Sequence, residues 1–289
     1  MTRAGVPLRV PARLLGDSDR SAMQALLERH PVTGAQVDEL VNATRVDWWR
    51  GGARIFGYAP RGQLRAICWY GTNLIPVGVD GDAAPEAVEA FSAIGRSEPR
   101  RCSSIVGPAE AVLPMWSRLE SSWGPAREVR TDQPLLVADT TPRLAGDPHV
   151  RLVRPDELDV LLPASIAMYT AEVGVSPVRS DDGQPYRRRV ASLIKGRRSY
   201  ARIEDGEVLF KADLAVVTPR TAQIQGVWVP PKWRGRGLAS AGMAAVVTDT
   251  LRRGIPQLSL YVNAHNTPAR RAYERCGFRQ IGHFSTILF

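Results

Sequence analysis

The segment Val227-Trp-Val-Pro-Pro-Lys-Trp-Arg-Gly-Arg-Gly-Leu-Ala239 constrains this chain more than any other. An apolar β-type run from Gln223 to Val229 ends on two prolines and passes through an arginine–glycine loop. It then opens onto a run from Leu238 to Arg253 that reads as a helix, with Gly254 and Pro256 as its stop signal. Strand, tight loop and helix in that order predict a layered α/β architecture. Glycines at 235 and 237 free the backbone to approach a ligand and to aim several N–H groups at it, where the helix dipole adds positive potential. Taken alone the loop reads equally as a phosphate cradle or as an ordinary β-to-α turn. It is not a dinucleotide fingerprint, because Ser240 holds the last glycine position. Nor is it a P-loop, because no second Gly is followed by Lys and Ser/Thr.

Charge follows the same division. Residues 1–148 hold 17 Lys/Arg and 17 Asp/Glu, whereas residues 149–289 hold 21 and 12, so the whole net charge of +9 lies in the second part. A positive field of that kind favours a polyanionic partner, either nucleic acid or a phosphorylated small molecule. Only three of the 38 basic residues are lysines: Lys195, Lys211 and Lys232.

Turn formers at residues 140–148 place a linker there, between domains expected at 1–140 and 149–289. The first part reads as helices over residues 18–30 and 36–43, then a hairpin of residues 53–58 and 64–70 across Pro60, Arg61 and Gly62. Strand 74–79, helix 85–93, strand 102–106, helix 110–121 and strand 129–138 follow. The second part runs strand 150–154, helices 157–169 and 186–195, strands 199–203, 208–217 and 223–229, helix 238–253, strand 257–262, helix 268–275 and strand 278–289. The shared order with almost no shared sequence predicts an old duplication: two α/β domains of mixed, mostly antiparallel sheet.

About 28 residues beyond the loop stands Asn266-x-x-Ala269-x-x-x-Tyr273-x-x-x-Gly277-Phe278. With Arg234, Gly237 and Ala239 filling R/Q-x-x-G-x-G/A at a strand–loop–helix junction, residues 149–289 resemble the GNAT superfamily of CoA-dependent N-acyltransferases. Gly235 is an extra glycine that many bacterial members share. The resemblance implies acetyl-CoA as co-substrate, with its pyrophosphate on the backbone amides of Arg234, Gly235, Arg236, Gly237, Leu238 and Ala239. It further implies that the pantetheine arm lies along Val227, Trp228 and Val229 with help from Asn266. It also gives the basic half a reason, since CoA is a polyphosphate.

Ala269, Ala272, Tyr273 and Cys276 recur at helical spacing, which places Tyr273 on a buried face where packing alone explains it. The resemblance adds a second role, in which the phenol protonates the departing thiolate. Where many GNAT enzymes carry a basic glutamate on the strand before the cradle, this chain has Gln223 and Gln225. That departure leaves the base unassigned: Glu172, Asp181 and Asp182, in the segment that lines the acceptor side by resemblance, are the candidates, each of which also reads as a solvated loop carboxylate, and Glu172 is the one expected to position or deprotonate the amine. The implied reaction is transfer of acetyl to a primary amine, on a small molecule or a peptide, by direct attack in a ternary complex. No cysteine sits in a recognisable nucleophile setting.

The first part has Asp80-Gly-Asp82 at the equivalent position, whose carboxylates repel a pyrophosphate, so no CoA is expected there. In arrangement the chain resembles bacterial tandem proteins with a degenerate N-terminal GNAT-like domain and, more distantly, two-domain mycothiol synthases. Trp48, Trp49, Trp69 and Tyr70 read as a domain core or an interface, with the core preferred. The arginine clusters at 187–189 and 197–198 have no stacking platform beside them, so a solvated face is expected rather than nucleic-acid binding. Two rivals remain: a non-catalytic acyl-CoA sensor and a nucleic-acid-binding protein.

The opening residues lack a signal peptide's apolar core, and the longest uncharged apolar stretches fall short of the roughly 18 residues a membrane span requires. Cys68, Cys102 and Cys276 are odd in number with no C-x-x-C pair, and His30, His149, His265 and His283 lack metal spacing. No metal, no membrane and a cytoplasmic setting are expected.

Overall fold

In the computed structural model, which describes residues 12–43, 53–178 and 183–289, the chain separates into two compact units. One is Met1–Gln133 with Gly282–Phe289; the other is Pro134–Ile281. The turn-rich segment at 140–148 is irregular, yet it lies wholly inside the second unit. The division falls instead within two strands, at Gln133/Pro134 and Ile281/Gly282, where long-range pairing rather than local turn chemistry decides it.

The first unit runs β1 (Ala12–Leu14), α1 (Arg20–Arg29), α2 (Ala35–Ala43), β2 (Arg54–Tyr58), β3 (Ala66–Tyr70), β4 (Asn73–Val77), α3 (Ala84–Ser97), β5 (Ser104–Pro108), α4 (Ala109–Trp123) and the start of β6 (Glu128–Ala138). The second runs from the end of β6 through β7 (Arg151–Leu152), α5 (Leu158–Val173), α6 (Gln184–Lys195), β8 (Ser199–Glu204), β9 (Glu207–Val217), β10 (Ala222–Trp228), α7 (Leu238–Arg252), β11 (Leu258–Tyr261), α8 (Thr267–Arg275) and the start of β12 (Arg279–Leu288). The order β-α-α-β-β-β-α-β-α-β occurs twice, once from β1 to β6 and once from β7 to β12.

Pairing repeats as well. In the first unit β1 to β4 pair antiparallel, β4 and β5 pair parallel, and β12 returns antiparallel on β5, with Phe284–Leu288 opposite Ser104–Pro108. In the second unit β7 to β10 are antiparallel, β10 and β11 are parallel, and β6 pairs antiparallel on β11 at Leu135–Ala138. Each parallel contact covers only two residue pairs: Asn73–Ser104 and Leu74–Ile105 in one unit, Ala222–Leu258 and Gln223–Ser259 in the other. Beyond them the strands part, leaving backbone groups of β10 past Gln223 unpaired along the β11 side.

Side chains of β9 alternate between the two faces of the second sheet. Phe210, Ala212 and Leu214 face a core shared with Met243, Ala244, Val246 and Val247 of α7 and with Tyr273 and Cys276 of α8. Helices α5 and α6 cover the opposite face, contributing Leu161, Val190 and Ile194 to a core with Ala201 and Val208. Helix α7 packs tightly because a Cβ at Gly242 would stand 2.7 Å from the Phe210 ring. In the first unit Trp69 and Tyr70 are partly buried, and Tyr70 packs against the core, edge-on to Phe56 at 5.1 Å, with its hydroxyl donating to the Phe91 carbonyl. Trp48 and Trp49 lie outside the described residues.

Candidate active site

The cradle is built by what its amides lack. Arg234 N–H closes a turn onto the Pro231 carbonyl at 3.2 Å, and the first bond inside α7 runs from Ala241 N–H to Gly237 O at 3.1 Å. Between them the N–H groups of Gly235, Arg236, Gly237, Leu238, Ala239 and Ser240 have no acceptor among the described residues. This is the orphan set of a helix start extended backwards by the loop. Gly235 and Gly237 have φ of +75° and +80°, the left-handed region that favours glycine, and a Cβ on either would point into open space. Open space over two glycines and a row of free amides at a helix start is the chemistry that close approach of a phosphate group requires, which the CoA phosphates would fit.

Basic side chains frame the loop without filling it. The Arg234 guanidinium lies 4.9 Å from the Trp228 ring centre and donates to the Val229 carbonyl at 3.0 Å. Arg236 stacks at 4.6 Å over Trp233, whose indole N–H donates to Glu207 at 3.1 Å. Val227, Trp228 and Val229 are half-buried along the parted edge of β10. Asn266 caps α8, its Oδ1 accepting from Ala269 N–H at 3.3 Å.

Tyr273 sits on α8 at 7% exposure, its ring 5.9 Å from Phe278. Burial raises its pKa above the ordinary phenol value, and the Glu172 carboxylate and Cys276 push it the same way. The phenol therefore holds its proton at neutral pH, the state a proton donor requires. The side chain packs in the core and also feels the charge of Glu172, so the two readings of this residue are compatible.

Glu172 belongs to the last turn of α5, which runs four residues past the expected end at Tyr169 and closes on Gly174 in the left-handed region, φ +80°. A carboxylate there opposes the helix dipole. Tyr186 of α6 meets Tyr169 edge-on at 5.4 Å and donates to the Ser165 carbonyl at 2.9 Å. The Tyr186 pKa is raised by burial first and then by Asp213, with Tyr169 and Glu172 adding to it and Arg189 opposing. Asp181 and Asp182 lie outside the described residues. Gln223 and Gln225 bond each other, Gln225 Nε2 donating to Gln223 Oε1 at 3.2 Å.

One pair on this face went unread in the sequence. Lys211 is fully buried; its Nζ lies 2.6 Å from Asp213 Oδ2 and donates to the Gly226 carbonyl at 3.0 Å. The signal was present: two opposite charges at i and i+2 inside the apolar run Leu209-Phe-Lys-Ala-Asp-Leu214, hence on one face of one strand. Gly226, at φ +62°, marks a bulge in β10 between the register positions Gln225–Asp213 and Trp228–Lys211. Among the described residues no group of three His, Cys, Asp or Glu side chains is placed to hold a metal, and no helix is long and apolar enough to cross a membrane.

Residues 167–278 match the Acetyltransferase (GNAT) family. The second unit carries a GNAT domain. Residues 53–161 match a domain of unknown function, DUF4081. Over 77 residues the chain is 39% identical to a mycothiol acetyltransferase of Brachybacterium faecium, covering 27% of this chain and 23% of that protein. The chain thus aligns with less than a quarter of that relative's length. Over the whole chain the fold is similar to a GNAT-family acetyltransferase from Colwellia psychrerythraea, with TM-score 0.56 and 12% identity over 96% of this chain and 99% of the other. It is also similar to a tandem GNAT protein from the clavulanic acid biosynthesis pathway, with TM-score 0.52 and 13% identity over 96% and 98% of the two chains. The fold is that of two tandem GNAT-like units.

Proposed function

We propose that the GNAT domain transfers acetyl from acetyl-CoA to a primary amine, which attacks the thioester carbonyl directly in a ternary complex. The run of unpartnered amides from Gly235 to Ser240 at the start of α7 carries this reading, because it offers a polyphosphate what a helix start alone offers only in part. The parted edge of β10 offers Val227 and Trp228 to an extended pantetheine arm, next to Val229, whose carbonyl Arg234 holds. Tyr273, protonated and buried beside that strand's core, supplies the proton for the leaving thiolate. Glu172 draws the amine toward the site.

The equivalent loop of the first unit has Asp80 and Asp82 in place of the arginines, and it supports no second CoA site. Three unpaired, buried cysteines support a reducing, cytoplasmic setting. The Gln223–Gln225 pair, standing where related enzymes carry a carboxylate, supports the second reading, a non-catalytic acyl-CoA sensor.

Thiol release from acetyl-CoA, measured against amino acids, polyamines, aminoglycosides and peptides, separates the two. The transferase reading expects release with at least one amine, and expects Glu172→Gln to raise the acceptor KM while acetyl-CoA affinity is kept. The sensor binds acetyl-CoA and releases no thiol with any of them.

A further inference from the structure

Resting on acetyl-CoA binding at the cradle, which both readings above share, we infer that Glu207 is a positioning residue for that cofactor's phosphates. It anchors the Trp233 indole, on which Arg236 is stacked, and so keeps the Arg236 guanidinium beside the free amides for a phosphate of the nucleotide end. Glu207 itself touches no ligand in this arrangement. It acts through two contacts in series, each of them direct: carboxylate to indole, and indole face to guanidinium.

The anchor belongs to the sheet rather than to the loop it holds. Glu207 opens β9 directly after Asp205 and Gly206, whose φ of +48° and +74° give the two-residue turn that suits the twist of a hairpin. It stands opposite Glu204 in the β8–β9 register. Both carboxylate oxygens are engaged: Oε2 accepts from Lys232 Nζ at 2.9 Å, and Oε1 accepts from the Trp233 indole N–H at 3.1 Å. Lys232 and Trp233 close the short turn Pro231–Trp233 that leads into the cradle. An exposed ion pair such as Lys232–Glu207 contributes little to folding, but Lys232 offsets the negative charge of Glu207 next to a site for phosphate.

The two arginines of the loop differ in what is left of them. Arg234 stacks on Trp228 and also donates to the Val229 carbonyl, so its guanidinium is tied to the end of the strand. Arg236 is exposed, lies 4.6 Å from the Trp233 ring centre and has neither carbonyl nor carboxylate partner among the described residues. Stacking holds a guanidinium by its face and leaves the N–H groups on its edge free, in the fork that matches the oxygens of a phosphate. The backbone N–H of Arg236 is itself one of the unpartnered cradle amides. Amide and guanidinium thus stand one side chain apart, and Trp233 decides where the second of them points. Without its bond to Glu207 the indole is free to turn, and the platform under Arg236 is lost.

The test is calorimetric titration of CoA into the full chain and its variants, with the thermal unfolding midpoint of each measured alongside. Arg236→Gln and Glu207→Ala are each expected to weaken CoA binding about tenfold, the scale of one charge-assisted hydrogen bond, with the midpoint unchanged. Glu207→Gln is expected to keep most of the affinity, because its side-chain carbonyl still accepts from the indole. The double variant of Glu207→Ala with Arg236→Gln is expected to bind CoA no more weakly than Arg236→Gln alone, since the first residue acts through the second. A merely structural role for Glu207 would instead add its own loss to that of Arg236. Wild-type affinity in Glu207→Ala, or additive losses in the double variant, overturns the inference and leaves the cradle reading standing. No CoA binding by the wild type overturns the cradle reading, and the inference with it.

Discussion

Cys276 Sγ donates a hydrogen bond to the Ser240 carbonyl across 3.0 Å. That bond ties α8, which carries Tyr273, to the first turn of α7, where the free amides lie. The proposed proton donor and the loop proposed to cradle phosphate are thereby tied through one pair of helices, with Met243, Ala244 and Val247 in the same core.

The same burial silences the thiol. Desolvation pushes Cys276 to about 12 and Cys102 to about 11, and Cys68 is raised as well. A thiol-specific reagent is expected to label none of the three cysteines in the folded protein and all three after denaturation. Rapid labelling of Cys276 in the native state would reopen an acyl-enzyme route in place of direct attack.

Gly237→Val should separate backbone geometry from folding. The left-handed φ costs a side chain about 1–2 kcal/mol, yet a Cβ meets nothing in the protein, so the variant is expected to fold and to lose about tenfold or more in acetyl-CoA affinity. Calorimetry is expected to give one site per chain in the wild type. Two sites, or unchanged affinity in the variant, would count against the cradle.

Gly242→Ala tests the packing that holds α7 in place. Its new methyl would meet the Phe210 ring at 2.7 Å, so a loss of about 1–3 kcal/mol is expected in denaturant unfolding. An unchanged midpoint would mean that helix and sheet separate freely.

Acid should loosen the fold through Glu157. Arg151 donates to both of its oxygens, at 2.7 and 2.8 Å, and the Arg154 amide donates to one of them at 2.8 Å. The Arg151 hydrogen bonds come first among the causes that hold this carboxyl at about 2. In the unfolded chain it titrates near ~4.3, so the fold resists protonation. The stability it contributes is complete above that value and is lost as pH falls toward the folded pKa. Between pH 6 and pH 3, Glu157→Gln is expected to lose less Tm than the wild type; an equal loss would remove Glu157 from the account.

Much of this was legible in the sequence, for local reasons. Gly254 and Pro256 end α7 as their backbone preferences dictate, Pro60 to Gly62 turn the β2–β3 hairpin, and the repeated element order is visible in two hydrophobic patterns. What was hidden depends on partners distant in sequence. The ends of β6 and β12 pair with strands far along the chain, so the units divide at Gln133/Pro134 and Ile281/Gly282, inside strands rather than at the turn-rich segment 140–148. Lys211 and Asp213 share one face of β9 by their spacing, but the elements that bury that face, among them α5 with Met168, come from elsewhere in the chain. Glu172 lies within α5 rather than beyond it, because Gly174, not Tyr169, ends the helix.

The most direct test of direct acetyl transfer at this site is the steady-state rate of thiol release from acetyl-CoA, with an accepted amine, for wild type and Tyr273→Phe alongside their acetyl-CoA affinities. The phenylalanine ring keeps the contact with Phe278 and removes only the hydroxyl. A fall in kcat of about 100- to 10,000-fold with unchanged affinity is the predicted result. Wild-type kcat in Tyr273→Phe, or no thiol release by the wild type with any amine, would contradict it.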